Sequence, residues 1–112
     1  MNLDQVLDHA MSKPGAEETL PFGPDTLVIK VDGKAFILIS LDSIPLRINL
    51  KCDPERAVEL REEHAAITPG YHMNKKHWNT LEMDGSLPTT LVKELIDHSY
   101  GLVSKKAQKR RS

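Results

Sequence analysis

Apolar residues near the N-terminus recur with helical spacing. Leu3, Val6, Leu7, Ala10 and Met11 fall at i, i+3, i+4, i+7 and i+8, which places them on one helical face. Asn2 offers a capping side chain ahead of them, and Pro14-Gly15 stops the helix. The segment AEETLPFGPD that follows holds two prolines and a glycine and predicts a linker. The period then changes to that of strands. Leu27 to Val31 is apolar and rich in β-branched residues. Asp32-Gly33 is a two-residue hairpin signal, because a type I′ turn needs positive φ at both central positions. Lys34 to Leu41 returns as a nearly continuous apolar run, as expected of a central strand covered on both sides. Leu46, Ile48, Leu50 and Cys52 alternate with Arg47, Asn49 and Lys51, which predicts a strand with one buried face and one polar, basic face.

A second helix is expected from Asp53-Pro54, an N-cap aspartate with proline at the first helical position. Its apolar stripe is narrow (Ala57, Val58, Leu60, Ala65), and Glu55, Glu59 and Glu63 stack like charges at i, i+4, so it belongs on the surface. Thr68-Pro69-Gly70 stops it, and Tyr71 to Met83 reads as extended up to the Asp84-Gly85 turn. A last helix is predicted from about Pro88 to Val103, with Ser86 or Leu87 at the cap position and Leu91, Val92, Leu95, Ile96, Ser99, Leu102 and Val103 on its inner stripe. Strands joined by tight turns imply an α+β fold: an antiparallel sheet of about four to five strands with three helices packed on one side. Residues 1–104 are expected to form this single domain, and residues 105–112 a basic, disordered tail.

Length and composition agree with one core. The chain has 112 residues, of which 39% are apolar and 28% charged. No apolar run approaches the roughly 20 residues that span a bilayer, and MNLDQVLDHAMSK lacks the pattern of a secretory leader. The single cysteine, Cys52, excludes an internal disulfide framework. A soluble, cytoplasmic protein away from membranes is expected, with a monomer as the simplest state. The net charge of −1 hides an asymmetry: residues 1–69 carry seven Lys/Arg against twelve Asp/Glu, and residues 70–112 carry eight against four. Five of those eight, Lys105, Lys106, Lys109, Arg110 and Arg111, lie in the tail. This is not the uniformly basic composition of a nonspecific DNA coater, but it allows one positive face.

The densest polar cluster runs from Tyr71 to Asn79, with two aromatic rings, two lysines, two histidines and two amides within nine residues. Lysine neutralises phosphate, aromatic rings stack on unpaired bases, and amides read base edges. Lys75, Lys76, Trp78 and Asn79 are therefore the leading candidates for nucleic-acid contact, joined by the tail cations and, second, by Arg47 and Lys51. Trp78 is ambiguous by alternation: if Leu81 and Met83 point inward, Trp78 and Thr80 point outward unless a bulge shifts the phase. His72 and His77 stand five apart, one more than the i, i+4 spacing that places two ligands on one helical face, and no acid or cysteine lies in the cluster, so no metal site is expected. Cys52 falls at the inward phase of its strand, where thiols are inert packing. There is no G-x-S-x-G, phosphate loop or dinucleotide fingerprint, and neither a catalytic residue nor a cofactor is expected.

The stretches YHMNKKHWNTLEMDGSLP and LIDHSYGLV, with PFGPDTLVIKVDGKAFILI upstream, resemble the MmcQ/YjbR family of small bacterial proteins. The resemblance spans the chain up to the basic tail. It implies a fold similar to frataxin/CyaY and the description "DNA-binding protein", with no catalytic residues to carry over. Two other readings stand beside this one: a protein- or small-ligand-binding accessory domain, and a frataxin-like metal binder. The second is thin, since the first helix offers only Asp4 and Asp8.

Overall fold

The computed structural model describes residues 1–70 and 74–104. The expected basic tail and the first three residues of the aromatic-lysine cluster lie outside them. The elements run α1 (Leu3–Met11), β1 (Glu17–Thr19), β2 (Thr26–Val31), β3 (Lys34–Ser40), β4 (Arg47–Lys51), α2 (Pro54–Glu63), β5 (Ile67–Pro69), β6 (Trp78–Glu82) and α3 (Thr89–Val103). The strands form one antiparallel sheet in the order β1-β2-β3-β4-β6-β5.

The fold is α+β with three helices, as expected, but the sheet has six strands among the described residues rather than four to five. The two additions are three-residue edges. β1 lies in the segment read as linker, and β5 directly after the second helix. Both carry the devices that blunt a sheet edge: Glu17 and Glu18 on β1, and Pro69 at the end of β5. Of the extended reading of residues 71–83, 71–73 lie outside the described residues, and the described part, 74–83, is strand at Trp78–Glu82. Before it, Asn74 turns the chain, accepting the amides of His77 and Trp78 on its carbonyl and that of Lys76 on its side chain.

Local chemistry accounts for the elements. Asn2 and Gln5 form a reciprocal capping box on α1. Asp53 caps α2 ahead of Pro54. Asp32 and Gly33 take φ of 52° and 77°, the two positive values that the β2–β3 hairpin requires. In α2 only Ala57 and Leu60 of the expected stripe are buried, and Val58 is exposed. The α3 cap is Pro88 rather than Ser86 or Leu87, because Ser86 is engaged in a local turn with Asp84.

The continuous apolar run of β3 has a specific cause. The pairing shifts between Ile29↔Ile37 and Lys30↔Ala35, leaving Phe36 as the extra residue of a β-bulge. Phe36 and Ile37 are both fully buried, and the Phe36 ring meets Tyr100 of α3 edge-on at 5.4 Å between centroids. Ile39, Ile48, Leu50 and Leu81 complete a helix-facing layer under Val92, Leu95 and Ile96. α3 lies across β3 and β4, α2 flanks β5, and α1 packs on α3. Among the described residues no helix covers the opposite face of the sheet, and this positions the site described below.

The α1–α3 contact is partly ionic. Asp97 accepts from His9 Nε2 at 2.8 Å and pairs with Lys13. Burial alone would raise the Asp97 carboxyl, but hydrogen bonds from Lys13 and His9, with their charges, hold it below its ordinary value. A depressed carboxylate adds stability that is present above its unfolded pKa and is lost as pH falls through the folded value. Asp97→Asn is therefore expected to destabilise the wild-type fold at pH 5 by less than about 1 kcal/mol, the pair being half exposed. The difference between the denaturant midpoints of the two proteins should begin to shrink as pH falls below about 4. A difference that stays constant or grows on further acidification would contradict this assignment.

Candidate nucleic-acid interface

On β4 the alternation is read out directly. Ile48 and Leu50 face the helices, while Arg47, Asn49 and Lys51 face the other way. Register carries the pattern into β6, where Arg47 pairs with Glu82, Asn49 with Thr80 and Lys51 with Trp78. Leu81 points inward, so Trp78 lies on the helix-free face, half-buried and directly across from Lys51. This settles the phase that alternation left open. Trp78 is seated by Gly70: a Cβ on Gly70 would fall 2.8 Å from the Trp78 Cβ, and the Gly70 amide donates to the Trp78 carbonyl at 2.8 Å.

Asn79 belongs to the other face, which corrects its expected role. It is 2% exposed, its Oδ1 accepts from Arg61 Nε at 2.8 Å, and its Nδ2 donates to the Ala57 carbonyl. It is a buried strut between β6 and α2, not an amide offered to bases. Arg61 also donates from Nη2 to the Lys75 carbonyl at 2.8 Å, so one guanidinium clamps both β6 and the turn that carries Lys75 and Lys76. Its role went unread in the sequence, although Ala57 and Arg61 share a helical face at i, i+4. Arg61→Ala leaves the buried Asn79 oxygen unpaired and is expected to cost about 1–3 kcal/mol in chemical denaturation. A loss below a few tenths would show that the clamp is dispensable.

Lys75 and Lys76 are exposed on that turn. Lys75 borders two concavities. One is a shallow hollow of about 540 Å³ against α2, where Glu55 and Glu59 oppose the two lysines. The other is a groove of about 740 Å³ on the helix-free face. Its floor includes Leu38, Ser40, Asn49 and Thr80, Arg47 and Glu82 line it on the same strands, and Phe22 of the β1–β2 loop, 73% exposed, lines it as well. Arg47 Nε and Nη2 both donate to one Glu82 oxygen, at 3.2 and 3.0 Å. Thr80 Oγ1 donates to Asn49 Oδ1 at 2.6 Å.

Of the expected contact residues, the fold thus brings Arg47, Lys51, Trp78 and Lys75 to one face, with Lys76 beside them, and withdraws Asn79. Lys105, Lys106, Lys109, Arg110 and Arg111 lie outside the described residues. Cys52 is buried, and burial raises its thiol pKa, with Arg56 and Arg61 opposing and Asp53 adding to the shift. Among the described residues no group of three or more His, Cys, Asp or Glu side chains is placed to hold a metal ion, and no helix is long and apolar enough to cross a membrane.

Comparison with known proteins matches this chain over residues 11–102 to the family model YjbR. The uncharacterized protein YjbR of Escherichia coli K12 is 36% identical over 100 residues, covering 89% of this chain and 85% of the relative. The uncharacterized protein YbdF of Escherichia coli O157:H7 is 41% identical over 106 residues, covering 90% and 86%. Among solved structures, Deinococcus radiodurans protein DR2400 superposes with a TM-score of 0.89 at 40% identity, covering 97% of this chain and 86% of that one. A Pseudomonas syringae protein gives 0.80 at 30% identity, covering 92% and 99%.

Proposed function

From the premise that this chain belongs to the YjbR family, whose relatives named above carry no assigned activity, we propose that it is a non-catalytic nucleic-acid-binding protein with DNA as its ligand. One observation supports this above others: Lys51 and Trp78 form a cross-strand pair on the helix-free face, with Arg47 two residues along the same strand and Lys75 at the rim. Cations spaced along a sheet hold successive phosphates, and the indole offers a stacking surface next to them. The tail adds five positive charges to the same chain by sequence.

Glu55 and Glu59 weaken the field of Lys75 and Lys76, so affinity is expected to be modest and strongly dependent on salt. The test is a binding titration of the full chain against a labelled oligonucleotide at several salt concentrations. Engagement of Arg47, Lys51, Lys75 and Lys76 predicts a log K against log salt slope of about −3 or steeper. A flat slope, or no binding at low salt, overturns the reading. A small-ligand accessory domain is favoured by one fact, the groove volume of about 740 Å³, which falls in the range of small-molecule sites. That reading predicts no affinity for oligonucleotides.

A further inference from the structure

We propose that the groove on the helix-free face seats an unpaired base, so that the ligand of this chain is a single-stranded nucleic acid; the inference rests on the nucleic-acid reading above. The first argument is shape. Reading a duplex requires a helix or ribbon that projects into a groove of the DNA. Here the polar side chains are recessed: Asn49 and Thr80 are 9% and 6% exposed at the floor of a concavity. A recessed site receives a projecting group, and bases project only where they are unpaired.

The second argument is chemistry. The Asn49 oxygen is taken by Thr80, which leaves the Nδ2 group, without a hydrogen bond among the described residues, as a donor to a ligand acceptor. Glu82 uses one oxygen for Arg47, and its other oxygen, which has no hydrogen bond among the described residues, can accept from an exocyclic amine. Ser40 and Thr26 add hydroxyls to the lining. Donors and acceptors side by side match the edge of a base, and a bare anion would not call for the carboxylate. Among the described residues Phe22 is the aromatic side chain that lines this groove, and its ring is left largely in water. A base stacked against it would cover that ring.

The third argument is continuity. Trp78 and Glu82 lie four residues apart on β6, a run of about 13 Å. The Trp78–Lys51 rung therefore lies two residues beyond the Asn49–Thr80 rung that lines the groove, and Arg47 with Glu82 lies two residues to the other side, where Phe22 also lines it. Trp78 with Lys51 across from it, and Phe22 with Arg47 in the same groove lining, lie along one path, the arrangement that tracks a single strand.

The experiment compares, by fluorescence anisotropy at low salt, a strand of about twelve nucleotides with its duplex and with a nucleoside monophosphate. Wild type is expected to bind the single strand at least tenfold more tightly than the duplex. Phe22→Ala should weaken single-strand binding roughly tenfold and leave duplex binding and the melting curve unchanged, and Phe22→Tyr should retain the wild-type affinity. Equal affinity for strand and duplex, with no effect of Phe22→Ala, would overturn the groove inference and leave nucleic-acid binding standing. No binding of either would overturn both. A nucleoside monophosphate binding as tightly as the strand would replace the strand with a free nucleotide.

Discussion

Reversing Lys51, Lys75 and Lys76 together to glutamate is expected to lower oligonucleotide affinity about a thousandfold at 0.1 M salt. The size follows from counterion release. Each phosphate contact contributes about 0.7 to 0.9 of a power of salt concentration, which is about five- to eightfold at 0.1 M relative to 1 M, and three contacts are removed. Repulsion by the three new carboxylates adds to the loss. Lys75 and Lys76 are exposed and Lys51 is half-buried, and none of the three makes a side-chain ion pair among the described residues. Exposed substitutions of this kind change stability by about 0.5 kcal/mol or less each, so the melting curve should be nearly unchanged. Binding that survives the triple reversal, measured by the same titration, would place the nucleic-acid surface elsewhere on the molecule.

The second large effect is on stability and comes from Ser99. The β3–β4 ladder ends at Ile37↔Leu50, because the bulge at Phe36 removes the next rung. The Ser99 hydroxyl of α3 fills the gap: it accepts from the Lys51 amide at 3.0 Å and donates to the Phe36 carbonyl at 2.6 Å. Ser99 is fully buried, so water does not substitute without rearrangement. Ser99→Ala strands a backbone donor and a backbone acceptor, each costing about 1–3 kcal/mol, and an overall loss of about 2–4 kcal/mol is expected in urea denaturation. That is a large part of the 5–15 kcal/mol typical of a domain. A loss under about 1 kcal/mol would mean that the two groups find other partners. The site is coupled to this joint, since the bridged amide is that of Lys51, the residue facing Trp78.

Much of this architecture is written locally. Asp32-Gly33, the Asn2 and Asp53 caps, and the alternation from Leu46 to Cys52 each specify their own conformation through side chains a few residues apart, and the structure follows them. The parts that escaped are those whose cause lies far along the chain. β1 has only three residues, all exposed or half-exposed, and is a strand because β2 supplies its hydrogen bonds. The long apolar run of β3 reads as a strand covered on both faces, whereas a bulge turns both Phe36 and Ile37 to the helices. Asn79 reads as a surface amide until the Arg61 guanidinium, 18 residues away, closes over it. Trp78 has a phase that only the burial of Leu81 fixes. The groove was not visible at all, because its lining comes from several strands and the loop that carries Phe22.

The most direct measurement is amide and side-chain chemical-shift mapping of the full chain titrated with a single-stranded oligonucleotide. Perturbations concentrated on Arg47, Asn49, Lys51, the Trp78 indole N–H and Thr80, with α1 and the outer surface of α3 silent, are the expected result. Shifts centred on α1 and α3, or none at saturating strand, would show that the helix-free face is not where this protein meets its ligand.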